Sequence, residues 1–307
     1  MIKPIINNSE QMIARLQGLG YKFKSFELTS SGQYEIDDAD WNYKDVPHLD
    51  FIHPLVDSCP AVIADEHVST IFLQKVFGLK LPMVLYNYES GKDEQTYFSA
   101  FMAFVLIICT KYSHGSGVTT VTTRYNIGGP SLLLALAFPV IRYALSKNYT
   151  NLMDGDTPMR LRRGELRAMG ARFKKPGSSY SFRRTMLVNE VNCTFDESLF
   201  SQEESERVHQ VVKHEGDTVA SFLTGRSDAW GLRVEMRDGL ALVYPRLCEH
   251  EGACLDSATA DQLALRCPWH NKRISPIWEG PATDNISVQH RGKSYSIDVK
   301  NIILTIS

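Results

Sequence analysis

Two pairs of cysteine and histidine near the C-terminal end have side chains and a spacing that suit metal ligands. Cys248 and His250 are separated by one residue, sixteen residues follow, and Cys267 and His270 are separated by two. Two thiolates and two imidazoles can hold a [2Fe–2S] centre in which the cysteines bind one iron and the histidines the other. A tetrahedral zinc site is the alternative, although zinc sites usually repeat cysteine pairs and histidine pairs within each half. The pattern predicts a metal centre and favours [2Fe–2S].

A second constellation lies near the front of the chain, where Asn42, Asp45, His48 and His53 follow one another within twelve residues. In a helix Asn42, Asp45 and His48 would share one face, whereas His53 would lie about 140° further round from His48. The backbone must therefore bend if both imidazoles are to meet one ion, and Pro47 is a reason to expect a bend. If they meet, His48 and His53 could supply the two histidines of a 2-His-1-carboxylate iron site. Taken alone, however, two ordinary surface or core histidines are the simpler interpretation.

Together the two patterns resemble the Rieske non-haem iron oxygenase family. The first cysteine loop matches the family's C-x-H-x-G motif, with Gly252 as the glycine, and the second matches C-P-x-H, with Pro268 as the proline. Asn271 stands where the family usually has a glycine, and asparagine tolerates left-handed backbone angles better than most residues. Ala253 and Trp269 occupy the positions of the disulfide cysteines of cytochrome-type Rieske proteins. The resemblance is therefore closer to the Rieske domains of oxygenases and ferredoxins.

The resemblance implies a set of metal ligands. The [2Fe–2S] cluster would be bound by the four residues that match the family's two cysteine motifs, Cys248, His250, Cys267 and His270. A mononuclear Fe(II) would be bound by the two histidines that match the family's iron motif, His48 and His53. Asp45 would hydrogen-bond both His48 and a cluster histidine, and Asn42 would lie near the iron. These two residues are the catalytic candidates besides the ligands.

The third iron ligand is expected in the segment NLMDGDTPM. Family members often carry an aspartate three residues before an aliphatic side chain, and Asp156, three residues before Met159, fits this pattern. Asp154 is the rival, although the same offset from it reaches Thr157. The other interpretation is that one of the two aspartates caps a helix starting at Pro158, a common use of aspartate.

The order of elements predicts an α+β fold. Strand-like segments at 79–88, 96–109 and 117–127 precede an apolar helix at about 131–152, and a first helix is expected at Ser9–Leu19, capped by Ser9. The 96–109 run is apolar at nearly every position, so both of its faces should be covered, by core or by a ligand cavity. By resemblance, residues 1–175 would form a helix-grip (SRPBCC/START-like) catalytic domain. Residues 176–307 would form a small all-β Rieske domain with its core at about 216–307.

Composition sets limits on partners and location. The 307 residues carry a net charge of −2, which gives no general attraction to nucleic acid or anionic membrane. The longest apolar run, residues 100–109, is about half the length that a membrane helix needs. No signal peptide is visible, so a cytoplasmic location is expected. A basic run from Arg160 to Arg184 is either a solvated face or a surface for an acidic ferredoxin.

The leading functional hypothesis is a Rieske-type oxygenase that uses dioxygen to hydroxylate or desaturate an apolar or aromatic small molecule. The sequence has no dinucleotide-binding fingerprint, so electrons would come from a separate ferredoxin or NAD(P)H-dependent reductase. The Rieske motifs follow the catalytic part, whereas most family members have the reverse order; those members form trimers, and a homo-oligomer is expected here. The alternative is a Rieske electron carrier or redox sensor whose first domain binds an apolar ligand without mononuclear iron.

Overall fold

The structure, a computed structural model, divides into two compact units. It describes residues 8–53, 56–58, 62–63, 67–76, 79–91, 94–101, 103–173, 190–195, 207–208, 212–213, 220–224, 228–237, 239–281, 286–291, 294–299 and 302–306. The first unit runs to Gly164, and the second contains residues 165–173 and the described residues from 190 onward. The predicted boundary after residue 175 falls outside the described residues and stays a prediction.

The first unit combines a large sheet with one long helix. Its helices are α1 (Ser9–Gly18), α2 (Ile36–Lys44), α3 (Leu49–Ile52) and α4 (Ser131–Ala168), with a 3-10 turn at Val46–His48; the last residues of α4 belong to the second unit. Its strands are β1 (Lys22–Gly32), β2 (Val56–Ser58), β3 (Val62–Ile63), β4 (His67–Val76), β5 (Leu79–Gly91), β6 (Glu94–Phe101), β7 (Phe104–Gly115) and β8 (Val118–Gly129). The α+β class predicted from the sequence is confirmed.

The sheet is antiparallel throughout its described pairs. Its strand order is β1-β8-β7-β6-β5-β4-β2, and β3 also pairs with β4. Consecutive strands from β4 to β8 are neighbours, so that part of the sheet is a meander, and β1 joins its end by pairing Lys22 with Gly129. Such strands place alternate side chains on opposite faces, and this alternation sets which residues can meet α4.

Several predicted boundaries of the first unit are wrong. The 96–109 run is not one strand but β6 and β7, which pair Phe101 with Phe104. The helix predicted to end near residue 152 continues to Ala168 with Pro158 inside it, so no helix starts at Pro158. In α1 the cap is Asn8, whose side chain accepts from Gln11 N at 2.9 Å, not Ser9.

The second unit is built from short strands after the end of α4. They are β9 (Ala171–Phe173), β10 (Cys193–Phe195), β11 (Arg207–Val208), β12 (Val212–Lys213), β13 (Ala220–Leu223), β14 (Leu232–Arg237), β15 (Leu240–Pro245), β16 (Leu247–Cys248), β17 (Ala253–Cys254), β18 (Thr259–Asp261), β19 (Ala264–Arg266), β20 (Arg273–Ile274), β21 (Trp278–Pro281), β22 (Ile286–Arg291), β23 (Ser294–Val299) and β24 (Ile302–Ile306). β12 to β15 and β21 form a five-stranded antiparallel sheet. Leu166, Phe173, Cys193 and Leu247 form a buried cluster in this unit.

The structure bears on two further expectations, the lack of a membrane-spanning helix and the solvated basic run. Among the described residues, no helix has the length and apolarity that crossing a membrane requires. The interpretation of the basic run as a solvated face is wrong for Arg160 and Arg163, whose side chains are fully buried. Residues 174–184 of that run lie outside the described residues.

Candidate metal sites and ligand cavity

The backbone bends between His48 and His53 in a way that brings both imidazoles together. α2 ends at Lys44, the 3-10 turn carries Pro47, and α3 begins directly afterwards. Asn42 therefore lies in α2, Asp45 at its C-terminal cap and His48 in the 3-10 turn, so the three do not share one helix, whereas the expected bend is present. The Nε2 atoms of His48 and His53 lie 3.3 Å apart, and both side chains are buried.

Asp156 completes this cluster from α4. Its Oδ1 atom lies 2.9 Å from His53 Nε2 and 3.2 Å from His48 Nε2. Three ligand atoms at adjacent corners of an octahedron around an ion about 2.1 Å away would be about 3 Å apart. The spacing and the donor set therefore fit one divalent ion, and these three residues could hold it. Asp154, the rival third ligand, is not part of this group.

The charges of the cluster favour an ionised carboxylate. Burial alone would raise the pKa of Asp156, but hydrogen bonds from His48 and His53 and the charge of Arg160 hold it well below its usual range. Burial alone would lower the pKa of His48, but hydrogen bonds to Asp156 and Asp45 raise it to about 9. Without a metal ion, the raised pKa favours a protonated His48 imidazole. A bound metal ion would displace the proton from the nitrogen that binds it, because a histidine ligand must be neutral at that nitrogen.

Asp45 orients one of the two imidazoles. Its Oδ2 lies 3.5 Å from His48 Nδ1, and both side chains are buried. A carboxylate at Nδ1 favours the tautomer whose Nε2 is free to ligate, and it fixes the plane of the ring. The structure thus places Asp45 beside His48, and the contact of Asp45 with a cluster histidine stays a prediction.

Arg160 is a residue of this site that sequence reasoning missed. Its Nη2 donates to Asp156 Oδ2 at 3.3 Å, and its Nε donates to Asn42 Oδ1 at 2.8 Å. Asn42 also faces Met159, whose sulfur lies 3.9 Å from its Nδ2. Because Oδ2 of Asp156 is occupied by Arg160, Oδ1 is the oxygen presented to the histidines. The signal in the sequence was an arginine four residues after the candidate ligand, which is the spacing of neighbours on a helix.

Gly155 lets α4 approach the histidines. A Cβ atom there would lie 2.5 Å from Ile52 Cγ2 and 2.8 Å from His53 Cε1, both closer than real Cβ contacts allow. The helix can therefore carry Asp156 to His53 only if its neighbour has no side chain. The sequence holds one signal for this role: Gly155, between two aspartates, is a residue with weak helix propensity.

A cavity of about 180 Å³ adjoins the cluster within the first unit. Asp45, His48 and Asp156 belong to its lining, and so does Asn42. Its walls are mostly apolar and come from the sheet and from α4, including Met83, Leu85, Leu106, Ile108, Leu145 and Leu152. The 96–109 run does contribute to a cavity, through Tyr97, Leu106 and Ile108. An apolar molecule in this space would be next to His48 and Asp156.

The two cysteine loops of the second unit have the same backbone turn. Gly252 N donates to Cys248 O at 2.9 Å, and Asn271 N donates to Cys267 O at 2.9 Å. Both residues that close these turns have positive φ, 91° at Gly252 and 51° at Asn271. The prediction that asparagine would serve in place of glycine in the second loop is confirmed, because asparagine accepts left-handed angles at modest cost.

These loops bring the four predicted cluster residues together in pairs. The Nδ1 atoms of His250 and His270 lie 3.3 Å apart, and all four side chains are buried. A hydrogen bond from the Cys248 thiol lowers the pKa of Cys267, and the same bond raises the pKa of Cys248. Two adjacent sulfurs and two facing Nδ1 atoms form a donor set that fits a [2Fe–2S] group.

Comparisons with known proteins identify no family for this chain. No family model matches the sequence, and no curated protein does. Solved structures with a similar fold include the di-domain ARO/CYC BexL from the BE-7585A biosynthetic pathway (13% identity, 44% of this chain and 48% of that one, TM-score 0.40). They also include a START superfamily protein from Mycobacterium smegmatis (8%, 43% and 92%, 0.35) and norcoclaurine synthase from Thalictrum flavum (10%, 52% and 96%, 0.37). The chain spans about half the length of BexL, and these similarities assign neither an activity nor a substrate.

Proposed function

We propose that this chain is a Rieske-type non-haem iron oxygenase acting on an apolar or aromatic small molecule. The observation that supports this most strongly is the convergence of His48, His53 and Asp156 beside an apolar cavity, whose lining includes His48 and Asp156. An electron carrier or redox sensor with a simple ligand-binding module would have no need for such a ligand set there. The cysteine and histidine donor atoms of the second unit, which fit a [2Fe–2S] group, support the Rieske part of the proposal.

The proposal assigns each metal group to the residues that would hold it. Cys248, Cys267, His250 and His270 would hold a [2Fe–2S] cluster, and His48, His53 and Asp156 would hold a mononuclear Fe(II). When bound, the cluster supplies single electrons and the mononuclear iron, with open coordination positions, activates dioxygen.

The surrounding residues position these ligands. Asp45 keeps the proton of His48 on Nδ1, so that Nε2 faces the ion site. Arg160 holds Asp156 Oδ2 and the Asn42 side chain, which fixes the direction of Oδ1. The apolar side chains of β5, β7 and α4 exclude water and leave room for a substrate beside His48 and Asp156.

The proposal also implies partners. Electrons would come from a separate ferredoxin or NAD(P)H-dependent reductase, and the protein would act as a homo-oligomer, by analogy with the trimers of the family. Because Arg160 and Arg163 are buried, they cannot contribute to a basic docking surface for a ferredoxin.

A single-turnover experiment tests the proposal. The purified protein is reduced with dithionite, freed of reductant and mixed with ¹⁸O₂ and a set of ring compounds that includes naphthalene and indole. We expect at least one product carrying ¹⁸O and none from the His53→Ala variant, which lacks one ligand but keeps the cluster. Reoxidation of both proteins at the same rate without any labelled product would contradict the oxygenase and favour the electron carrier.

A further inference from the structure

Asn87 is a polar residue in the apolar wall of the cavity. It is 2% exposed and lines the cavity, as do Met83 and Leu85 on the same strand. Val84 and Tyr86, which alternate with them, are 54% and 38% exposed, so β5 presents residues 83, 85 and 87 inward. An amide therefore stands at a position where the pattern of the strand calls for an apolar side chain.

A chain of hydrogen bonds fixes which way this amide points. Asp40 forms an ion pair with Lys44 at 2.9 Å, so its carboxylate can only accept hydrogen bonds. Gln95 Nε2 must then be the donor to Asp40 Oδ1, at 2.8 Å. This leaves Gln95 Oε1 to accept from Asn87 Nδ2 at 3.2 Å. This chain of hydrogen bonds therefore assigns Nδ2 of Asn87 as the donor to Gln95 and leaves Oδ1 of Asn87 as an acceptor without a donor.

Asn87 Oδ1 is buried and has no hydrogen-bond partner among the residues that the structure describes. A buried acceptor without a donor costs about 1–3 kcal/mol, so such an atom calls for an explanation. A water molecule would need two to four polar partners at this point. The residue paired with Asn87 on β4 is the buried Val68. The hydroxyl of Tyr97, opposite on β6, has one proton to donate and lies 3.4 Å from each of two other acceptors, Tyr43 O and Gln95 Oε1.

We propose that the cavity binds an apolar ring compound whose hydroxyl or N–H group donates a hydrogen bond to Asn87 Oδ1. A cavity of about 150 Å³ suffices for benzene, so the cavity of about 180 Å³ in this protein allows one or two rings. The inference rests on the proposed function only in taking this cavity as the substrate site. It adds the substrate class: phenol-like or indole-like molecules rather than plain hydrocarbons or ketones.

Binding of a matched pair of ligands tests the inference. The probes are 2-naphthol and 2-methylnaphthalene, which differ by a hydroxyl in place of a methyl group. Their dissociation constants are measured on the full-length protein with its metals, without reductant, in the wild type and in Asn87→Leu. We expect the preference for 2-naphthol over 2-methylnaphthalene to fall roughly tenfold in the variant, because a hydrogen bond to a buried acceptor is lost.

Asn126 provides the matched control. It is equally buried on β8, its side chain bonds Ser25 and Ile107 O, and it is not part of the cavity lining. Asn126→Leu should leave the preference unchanged. The same fall in both variants, no fall in Asn87→Leu, or no binding of either probe would overturn the inference.

A second measurement does not depend on the folding of the variants. A crystal structure of the wild type with 2-naphthol should place the ligand hydroxyl within hydrogen-bond distance of Asn87 Oδ1; a hydroxyl elsewhere would overturn the inference. Because no reductant is present in either experiment, a protein without oxygenase activity can still show this selectivity. Conversely, an active oxygenase can lack it.

Discussion

Asp156 presents its Oδ1 atom to His53 Nε2 at 2.9 Å across a separation of 103 residues. One residue belongs to the long helix α4 and the other ends the short helix α3. The cluster therefore exists only when α4 is in place against the turn that carries the histidines. Small changes at the contact between α3 and α4 should affect the ion site before they affect the fold.

Replacement of Gly155 by alanine tests this contact. Alanine favours a helix over glycine by about 1 kcal/mol, so helix propensity alone would make the variant more stable. The added Cβ would instead press on His53, and we expect the affinity of the metal-depleted protein for Fe(II) to fall roughly tenfold. Titration calorimetry measures this affinity. In Gly18→Ala, where the new Cβ meets nothing within 4 Å, the affinity should not change, and an unchanged affinity in Gly155→Ala would refute the contact.

Replacement of Arg160 by lysine tests the orientation of Asp156. Lysine keeps the positive charge, so the repulsion of a metal ion stays similar, but it cannot donate to Asn42 and Asp156 from one rigid fork. Fe(II) affinity should fall roughly tenfold as Asp156 loses its fixed direction. Arg163→Lys is the control, since Arg163 is equally buried one turn along the helix and donates to Asp38 at 2.9 Å instead. Equal effects of the two variants would remove the special role of Arg160.

Two cysteines of the second unit should behave differently when changed to serine. The pKa of Cys267 is lowered by the hydrogen bond from Cys248, which favours the thiolate that iron requires. Burial raises the pKa of Cys254 to about 12, so that thiol stays protonated. Cys267→Ser should abolish the visible absorption and the reduced-state EPR signal of the cluster, and Cys254→Ser should keep both. Retention of the signals in Cys267→Ser would contradict the ligand assignment.

The sequence predicted which candidate residues lie together better than it predicted the bounds of the elements that carry them, and metal binding by these residues stays a prediction. The sequence of the 96–109 run predicts one strand because the turn around Phe101 and Phe104 has neither glycine nor proline. The helix was ended too early because the Asp–Gly–Asp–Thr–Pro segment resembles a loop, although tertiary packing keeps Pro158 inside α4.

The sequence carried at most weak signals for the roles proposed for Arg160, Gly155 and Asn87, and the reason is physical. Each depends on a residue that is distant in the chain, respectively Asn42, His53 and Asp40 through Gln95. Spacing along the sequence reports neighbours on one element only. The two cysteine loops were predictable because their turns are local.

The central claim is that one chain carries two separate metal groups, and iron and sulfide analysis of the reconstituted protein tests it most directly. We expect three irons and two sulfides per chain in the wild type and in His114→Ala, whose imidazole is exposed. His53→Ala should retain two irons and two sulfides. Two irons per chain in the wild type, or three in His53→Ala, would contradict the account.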